Sequence, residues 1–256
     1  MAVMTTMQEA LWDPSKDDTT SGVWYRVEDL ILSNNDLVSG YTDRYTQTPG
    51  QHDATSGNAP IFKTQVLGKR DGVHYDNVDD YVSFGEPAVQ AASECTLFMV
   101  VKQVSAVVTS TLFGNFNTAA NQRQLILQIS GLNPSGQSFV FGFGGTTANV
   151  IARSTGAYDF SSAPRLMEAD AAQSNPIRLF FNGTEVSAYT TQNLASGLLI
   201  QAVLAQDNAI GRLFPAGTGF ANSYIGEFFF LRKKLSTGDR KAFRNYLGIK
   251  YNIRLY

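Results

Sequence analysis

Residues 177–186, Ile-Arg-Leu-Phe-Phe-Asn-Gly-Thr-Glu-Val, decide the fold class. A mainly apolar run ends at Asn182-Gly183, and a second extended run over residues 184–186 follows it. Asn and Gly both tolerate a positive φ, so Asn-Gly between two such runs is the strongest short signal for a hairpin. The segment therefore predicts two antiparallel strands joined by a tight turn.

Four further segments also predict strands. Residues 96–102 form a near-continuous apolar run, which is typical of a strand buried on both faces. Residues 124–129 alternate and stop at Ser130-Gly131, residues 138–143 alternate aromatic with small side chains, and residues 224–231 form a long aromatic run. Many strands with short turns predict an all-β sandwich.

One helix is predicted, near the C-terminus. Ser236 and Asp239 have the spacing of a capping box, in which the serine caps the helix and the acid lies three residues later. Four apolar residues then share one helix face: Ala242, Phe243, Tyr246 and Leu247. Gly248 is expected to end the helix, and residues 249–255 are expected to form a last strand.

Composition excludes several classes of protein. Only 16% of the 256 residues are charged, 12% are aromatic and the net charge is −2, which is unlike a disordered chain or a coiled coil. This charge balance gives no basic face for nucleic acid. Cys95 is the one cysteine, so neither an internal disulfide nor a cysteine-rich metal site is expected. No apolar run approaches the roughly 20 residues that cross a bilayer, so no membrane insertion is expected.

The chain is expected to contain one domain. Residues 11–256 are assigned to it, and residues 1–10 to an N-terminal arm. Met4, Met7 and Leu11 are apolar outside the periodic core, so we expect them to anchor the domain to neighbouring subunits. The alternative is an ordinary frayed terminus. The first residues show no secretory signal pattern, so a product made in the cytoplasm is expected.

Five segments follow one another in a recognisable order. They are Val38-Ser39-Gly40-Tyr41-Thr42-Asp43-Arg44 with His52-Asp53-Ala54-Thr55 and Pro60; Val73-His74-Tyr75-Asp76-Asn77-Val78-Asp79-Asp80-Tyr81-Val82; Leu179-Phe180-Phe181-Asn182-Gly183-Thr184; Ile210-Gly211-Arg212 with Tyr224-Ile225-Gly226-Glu227; and Leu235-Ser236 with Tyr246-Leu247. Together they resemble the concanavalin A-like (laminin G-like) jelly-roll family over residues 11–253. Tyr41 stands where that family more often has tryptophan, and Asn77 where it has glycine. The resemblance implies an all-β jelly-roll sandwich with one short C-terminal helix.

The resemblance also implies a function. Domains with this closing pattern often occur in bacteriophage virion proteins and in secreted bacterial surface proteins, and the lack of a secretory signal pattern favours the virion setting. The main hypothesis is therefore a non-enzymatic virion structural protein, as a capsid decoration, a head or tail fibre, or a fibre-associated subunit. It would form a homo-oligomer and dock on other virion structural proteins. One alternative is a lectin module that recognises host surface glycans, and a second is a glycan-active hydrolase.

Sugar binding needs exposed aromatic side chains. The candidates are Trp24, Tyr41, Tyr45 and Tyr189. The competing interpretation is that these aromatics are core residues, as most are in a sandwich of this size.

Asp76, Asp79 and Asp80 form the densest acidic cluster. Calcium takes several carboxylate oxygens, so the cluster is a candidate calcium site and calcium is the one candidate cofactor. The competing interpretation is a turn fixed by side chain-to-backbone hydrogen bonds. Adjacent aspartates on a strand point to opposite faces, which argues against shared ligation by Asp79 and Asp80.

No catalytic residues are predicted. Sandwich glycosidases carry two carboxylates on one strand face, and Glu168-Ala169-Asp170 comes closest to that pattern but lacks a third acid. Glu227 stands alone in an apolar strand, facing solvent or a hydrogen-bond donor. Neither a Gly-x-Ser-x-Gly elbow nor a His-Glu-x-x-His motif occurs.

Overall fold

The computed structural model describes residues 22–44, 53–84, 94–105, 109–117, 122–133, 136–144, 149–172, 175–192, 208–212 and 220–256. Within these ranges the chain forms one α-helix, α1 (Thr237–Lys250), and a 3₁₀ turn over Val27–Asp29. The strands in the same ranges are β1 (Gly22–Arg26), β2 (Gly40–Tyr41), β3 (Ala54–Ser56), β4 (Ile61–Leu67), β5 (Arg70–Asp76), β6 (Val82–Phe84), β7 (Glu94–Gln103), β8 (Ser110–Asn117), β9 (Gln122–Asn133), β10 (Gly136–Gly144), β11 (Asn149–Ser154), β12 (Arg165–Ala172), β13 (Asn175–Phe181), β14 (Thr184–Val186), β15 (Ala188–Gln192), β16 (Asn208–Ile210) and β17 (Asn222–Leu231).

The strands form two antiparallel sheets. The first sheet has the order β14-β13-β12-β7-β17-β5-β4, with β1 paired to one half of β17. The second has the order β15-β11-β10-β9-β8-β16-β6-β3-β2. About half of the neighbouring strand pairs in each sheet are distant along the chain, as expected of a jelly roll. The predicted all-β jelly-roll sandwich with a C-terminal helix is confirmed.

Strand β17 organises the first sheet. Its first half pairs with β5, its second half pairs with β1, and its other edge pairs with β7. The register with β7 shifts between Ile225 and Glu227, which makes Gly226 the bulge residue. A Cβ atom at Gly226 would lie 2.7 Å from side-chain atoms of Leu67 and Tyr251, so only glycine allows this close packing.

Aromatic side chains fill the space between the sheets. The Phe113 and Phe228 ring centroids are 4.9 Å apart, and the Tyr25 ring lies 5.4 Å from that of Phe84. These rings are buried together with aliphatic side chains from both sheets. Burial of a single large apolar side chain contributes about 1.5–3 kcal/mol, so this layer is the main source of stability.

A second core lies between the first sheet and α1. Phe243 of the helix packs 4.9 Å from both Phe98 and Phe229, centroid to centroid. On β7, Leu97 and Met99 face the other sheet, while Phe98 and Val100 face the helix. The helix therefore explains why residues 96–102 form a near-continuous apolar run, and burial on both faces is confirmed for residues 96–101.

The local turn and cap predictions are confirmed. Asn182 and Gly183 adopt φ values of 49° and 86° between β13 and β14, as the hairpin requires. The Ser236 hydroxyl accepts a hydrogen bond from the Asp239 backbone N–H at 3.1 Å. The helix begins where the capping box places it.

Two predicted boundaries are wrong. Helix α1 continues through Gly248 to Lys250, so the strand expected over residues 249–255 is absent from this part of the described chain. A Cβ atom at Gly248 would lie 2.8 Å from the Leu255 side chain, so the glycine admits the returning tail rather than ending the helix. Strand β9 likewise passes Ser130 and ends at Asn133, because β10 pairs with it past that point.

Two expectations about the whole chain stay predictions. The proposed arm over residues 1–10 lies outside the described residues, as do Met4, Met7 and Leu11. In the ranges that the structure describes, no helix has the length and apolar character to span a bilayer.

Candidate functional site

An aromatic row crosses the outer face of the first sheet. His74 on β5 lies directly opposite both Ile61 on β4 and Tyr224 on β17, and Tyr224 lies opposite Lys102 on β7. Directly opposite residues of antiparallel strands share a face, with Cβ atoms about 4.5–5.5 Å apart. Their chain neighbours, such as Val73, point into the inter-sheet core, so the aromatic row faces outward. We use the term aromatic row for Ile61, His74, Tyr224 and Lys102.

The two rings at the centre of the row pack against each other. The centroids of His74 and Tyr224 are 5.0 Å apart with an interplanar angle of 34°. Both side chains are partly exposed. Burial lowers the pKa of His74 and the Lys63 charge lowers it further, while Asp76 opposes the change. These effects favour the neutral form of His74, which offers an uncharged ring face.

Polar side chains flank the aromatic row on both sides. Lys63 lies on one side and donates a hydrogen bond from Nζ to Asn35 Oδ1 at 2.6 Å. On the other side Asp76 lies opposite Asn222, whose side chain donates to Ser105 Oγ at 3.2 Å. Hydrogen-bonding groups and one exposed carboxylate thus border both edges of an apolar stripe.

The aspartate cluster adjoins the row through Asp76. Ligand oxygens of Asp76, Asp79 and Asp80 lie within 4.8 Å of one another. Asp76 and Asp79 are exposed, whereas Asp80 is buried. The strand argument against convergence is wrong here, because the segment after β5 is a turn with Asn77 at a φ of 69°. The three carboxylates could hold a calcium ion, which stays a prediction.

Backbone contacts of the cluster also match the turn interpretation. Asp80 Oδ2 accepts a hydrogen bond from the Asp76 backbone N–H at 3.0 Å, and Asp76 Oδ1 accepts one from the Val78 N–H at 2.8 Å. Burial and the neighbouring Asp76 carboxylate raise the pKa of Asp80 to about 6. The turn is therefore fixed by its own aspartates at some electrostatic cost.

Two of the four aromatic candidates for sugar binding are core residues. Trp24 is 8% exposed and donates a hydrogen bond from Nε1 to Glu227 Oε1 at 2.6 Å. Tyr41 is 6% exposed and packs 5.6 Å from Tyr25 in the inter-sheet core. Neither can stack on a sugar, because Phe243 and Tyr246 of α1 cover the Trp24 ring and the Tyr41 ring lies between the sheets. Tyr45 and the Tyr189 side chain lie outside the described part of the chain.

The carboxylate pair nearest to a glycosidase pattern is structural. Glu168 and Asp170 are buried on the outer face of β12, beneath α1. Arg240 donates to Glu168 Oε1 and to Asp170 Oδ2, each at 2.6 Å, and Arg244 also donates to Glu168. Burial raises the pKa of Glu168, and the hydrogen bonds from the two arginines oppose that change. Glu168 and Asp170 therefore bind α1 to the first sheet through ion pairs with its arginines.

Glu227 has a similar structural role beneath the other half of the helix. It is buried and accepts hydrogen bonds from Trp24 and, at 2.7 Å, from Lys250 Nζ. The option that Glu227 faces solvent is therefore wrong, and the hydrogen-bonded option is confirmed.

Comparisons with known proteins concern the fold. No family model and no curated protein sequence matches the chain. Domain 4 of a GH43 extracellular arabinanase from Geobacillus stearothermophilus, solved in complex with arabinotriose, is similar in structure. The TM-score is 0.55 at 12% identity, over 81% of this chain and 97% of that one. The similarity supports the two-sheet β-sandwich fold of this chain.

A toxin domain has a similar fold. The binding domain of botulinum neurotoxin DC in complex with SialylT matches with a TM-score of 0.56 at 12% identity. The match covers 86% of this chain and 52% of that one, so this chain corresponds to about half of the toxin domain. At 12% identity the structural similarity supports the β-sandwich fold but does not identify a ligand of this chain.

Proposed function

We propose that this chain is a non-catalytic glycan-binding module and that the aromatic row is its binding surface. The observation that carries the proposal is the packed pair of His74 and Tyr224, partly exposed and bordered by polar side chains. A sugar ring has an apolar C–H face and a hydroxyl edge, so it needs an aromatic surface with hydrogen-bonding groups beside it.

Fold similarity supports this proposal above the main hypothesis from the sequence. The arabinanase domain was solved with arabinotriose and the toxin domain with SialylT. These facts belong to those proteins, and the arabinanase domain is the more relevant of the two, because this chain matches 97% of it but only 52% of the toxin domain. The virion structural function has no such support and stays a prediction, as do homo-oligomer formation and a virion location. Copurification with intact particles would test them.

The structure argues against catalysis by Glu168 and Asp170, the best candidates for the hydrolase alternative. Glycoside cleavage requires two carboxyl groups that are accessible to the sugar and to water. Glu168 and Asp170 are buried beneath α1 and already paired with Arg240. We therefore propose binding without turnover.

A binding experiment tests the aromatic row. A glycan array identifies a ligand, and calorimetry measures its affinity for the wild type and for Tyr224→Ala. We expect Tyr224→Ala to weaken binding about tenfold, which corresponds to about 1.4 kcal/mol. Tyr256→Ala is the matched control, because Tyr256 is a tyrosine that is 73% exposed at the C-terminus.

Two outcomes of the binding experiment would contradict the proposal. Equal affinity of Tyr224→Ala and the wild type, with both proteins folded by circular dichroism, would exclude the aromatic row as the binding surface. The absence of any array signal from the wild type would remove the glycan-binding function itself.

A further inference from the structure

The aromatic row continues for one more position. Leu37 forms an isolated antiparallel bridge with Ile61, so the two side chains share a face. Val38, the next residue, is buried in the inter-sheet core, and Leu37 itself is 64% exposed. The extended row therefore consists of Leu37, Ile61, His74, Tyr224 and Lys102.

The extended row is longer than a single sugar requires. Strands lie about 4.8 Å apart, so the four steps from Leu37 to Lys102 cover about 19 Å. The repeat along an extended sugar chain is similar to the spacing between strands. The row can therefore contact about four consecutive sugar units.

Polar side chains border the extended row on both sides, where a sugar chain lying along the row would place its hydroxyl groups. Lys63 borders one side, and Asp76 and Asn222 border the other. Lys102, at one end, forms no ion pair with any residue that the structure describes. Hydroxyl groups on both edges of a sugar chain would meet hydrogen-bonding side chains, while the C–H faces lie on the apolar and aromatic stripe.

An extended peptide is a poorer occupant of the same surface. Peptides add to sheets by pairing with the free backbone groups of an edge strand. The Leu37 end of the row includes Ile61 on the edge strand β4, but most of the row crosses β5, β17 and β7, which are paired on both sides within the first sheet. Only side chains are available to a ligand there.

We propose that the site takes a linear oligosaccharide, laid across the strands and contacted along several consecutive units rather than by its terminal sugar. This inference rests on the proposed glycan-binding function and adds the class of ligand. It makes Leu37 a specificity-determining residue, although it lies three strand positions from Tyr224.

A length series tests the inference. Calorimetry with the mono- to hexasaccharides of the array ligand should show affinity rising with each unit up to about four, then levelling off. Leu37→Ala should weaken tetrasaccharide binding about threefold and leave disaccharide binding unchanged. Ile249→Ala is the matched control, because Ile249 on α1 is also 64% exposed. Tyr224→Ala should weaken both ligands.

The outcomes separate this inference from the proposed function. Equal affinity for mono- and tetrasaccharide, lost in Tyr224→Ala, would overturn the linear ligand and retain the glycan-binding function. Unchanged tetrasaccharide binding by Leu37→Ala would also overturn the extended row. No binding of any saccharide would remove both.

Discussion

Asp80 shows how the fold changes the chemistry of a single residue. Its carboxylate is buried in a turn beside Asp76 and Asp79, and its pKa is raised to about 6 from an ordinary value of 3.8. The folded protein therefore binds this proton more tightly than the unfolded chain. The resulting stabilisation is full below about pH 4 and is lost as the pH rises to about 6.

The substitution Asp80→Asn tests this linkage. Asparagine keeps an oxygen that can accept the Asp76 N–H but cannot ionise. We expect the wild type to lose about 1 kcal/mol more of its unfolding free energy than the variant between pH 4 and pH 7. Urea unfolding at several pH values measures the difference, with Asp36→Asn at another turn as the control. Parallel pH profiles for the wild type and Asp80→Asn would contradict the raised pKa.

Adding calcium tests whether Asp80 and its neighbouring aspartates bind the ion. If the cluster binds the ion, millimolar calcium should raise the melting temperature of the wild type at pH 7, and EDTA should reverse the change. Asp80→Asn should respond much less because one ligand has lost its charge. An identical melting temperature with calcium and with EDTA would leave the turn as the only function of the aspartates.

At the scale of elements, α1 is held by charge as well as by its apolar face. Arg240 is buried, contacts Glu168 and Asp170, and lies 4.2 Å above the Phe180 ring. Removing one partner of a buried ion pair leaves the other charge uncompensated. The helix should therefore be more sensitive to the loss of this arginine than to that of any exposed lysine.

The substitution Arg240→Met tests this contact. Methionine keeps an apolar side chain over Phe180, and we expect a loss of about 3 kcal/mol in unfolding free energy. Lys241→Met, on the adjacent exposed position, should change stability by less than about 0.5 kcal/mol. Chemical denaturation compares the two variants. Similar midpoints would show that the ion pairs contribute little to holding the helix.

Elements with strong local signals could be predicted from sequence. The Asn182-Gly183 turn and the Ser236 cap depend on residues close in the chain, and both are confirmed. The end of α1 could not be predicted, because Gly248 is explained by its approach to Leu255 in the returning tail. The same applies to Glu168, whose partner Arg240 lies 72 positions away.

The proposed binding surface depends on the fold of the whole molecule. It joins strands that are distant in sequence, with His74 opposite Tyr224 only because β5 pairs with β17. Aromatic composition alone indicates Trp24, which α1 covers, and Tyr41, which lies buried between the sheets. Alternation marks His74 and Asp76 as sharing one face of β5, but the register between strands cannot be derived from the sequence. Of the residues on this surface, the sequence predicts only Asp76 as a site residue.

Chemical-shift mapping by NMR directly tests whether the aromatic row is the glycan-binding surface. Isotope-labelled protein is titrated with the tetrasaccharide of the array ligand, and amide shifts are followed along both sheets. If the aromatic row binds the ligand, the largest changes will lie around Ile61, His74, Lys102 and Tyr224, with none at Tyr256. Changes confined to the second sheet, with His74 and Tyr224 unaffected at saturation, would contradict the proposal.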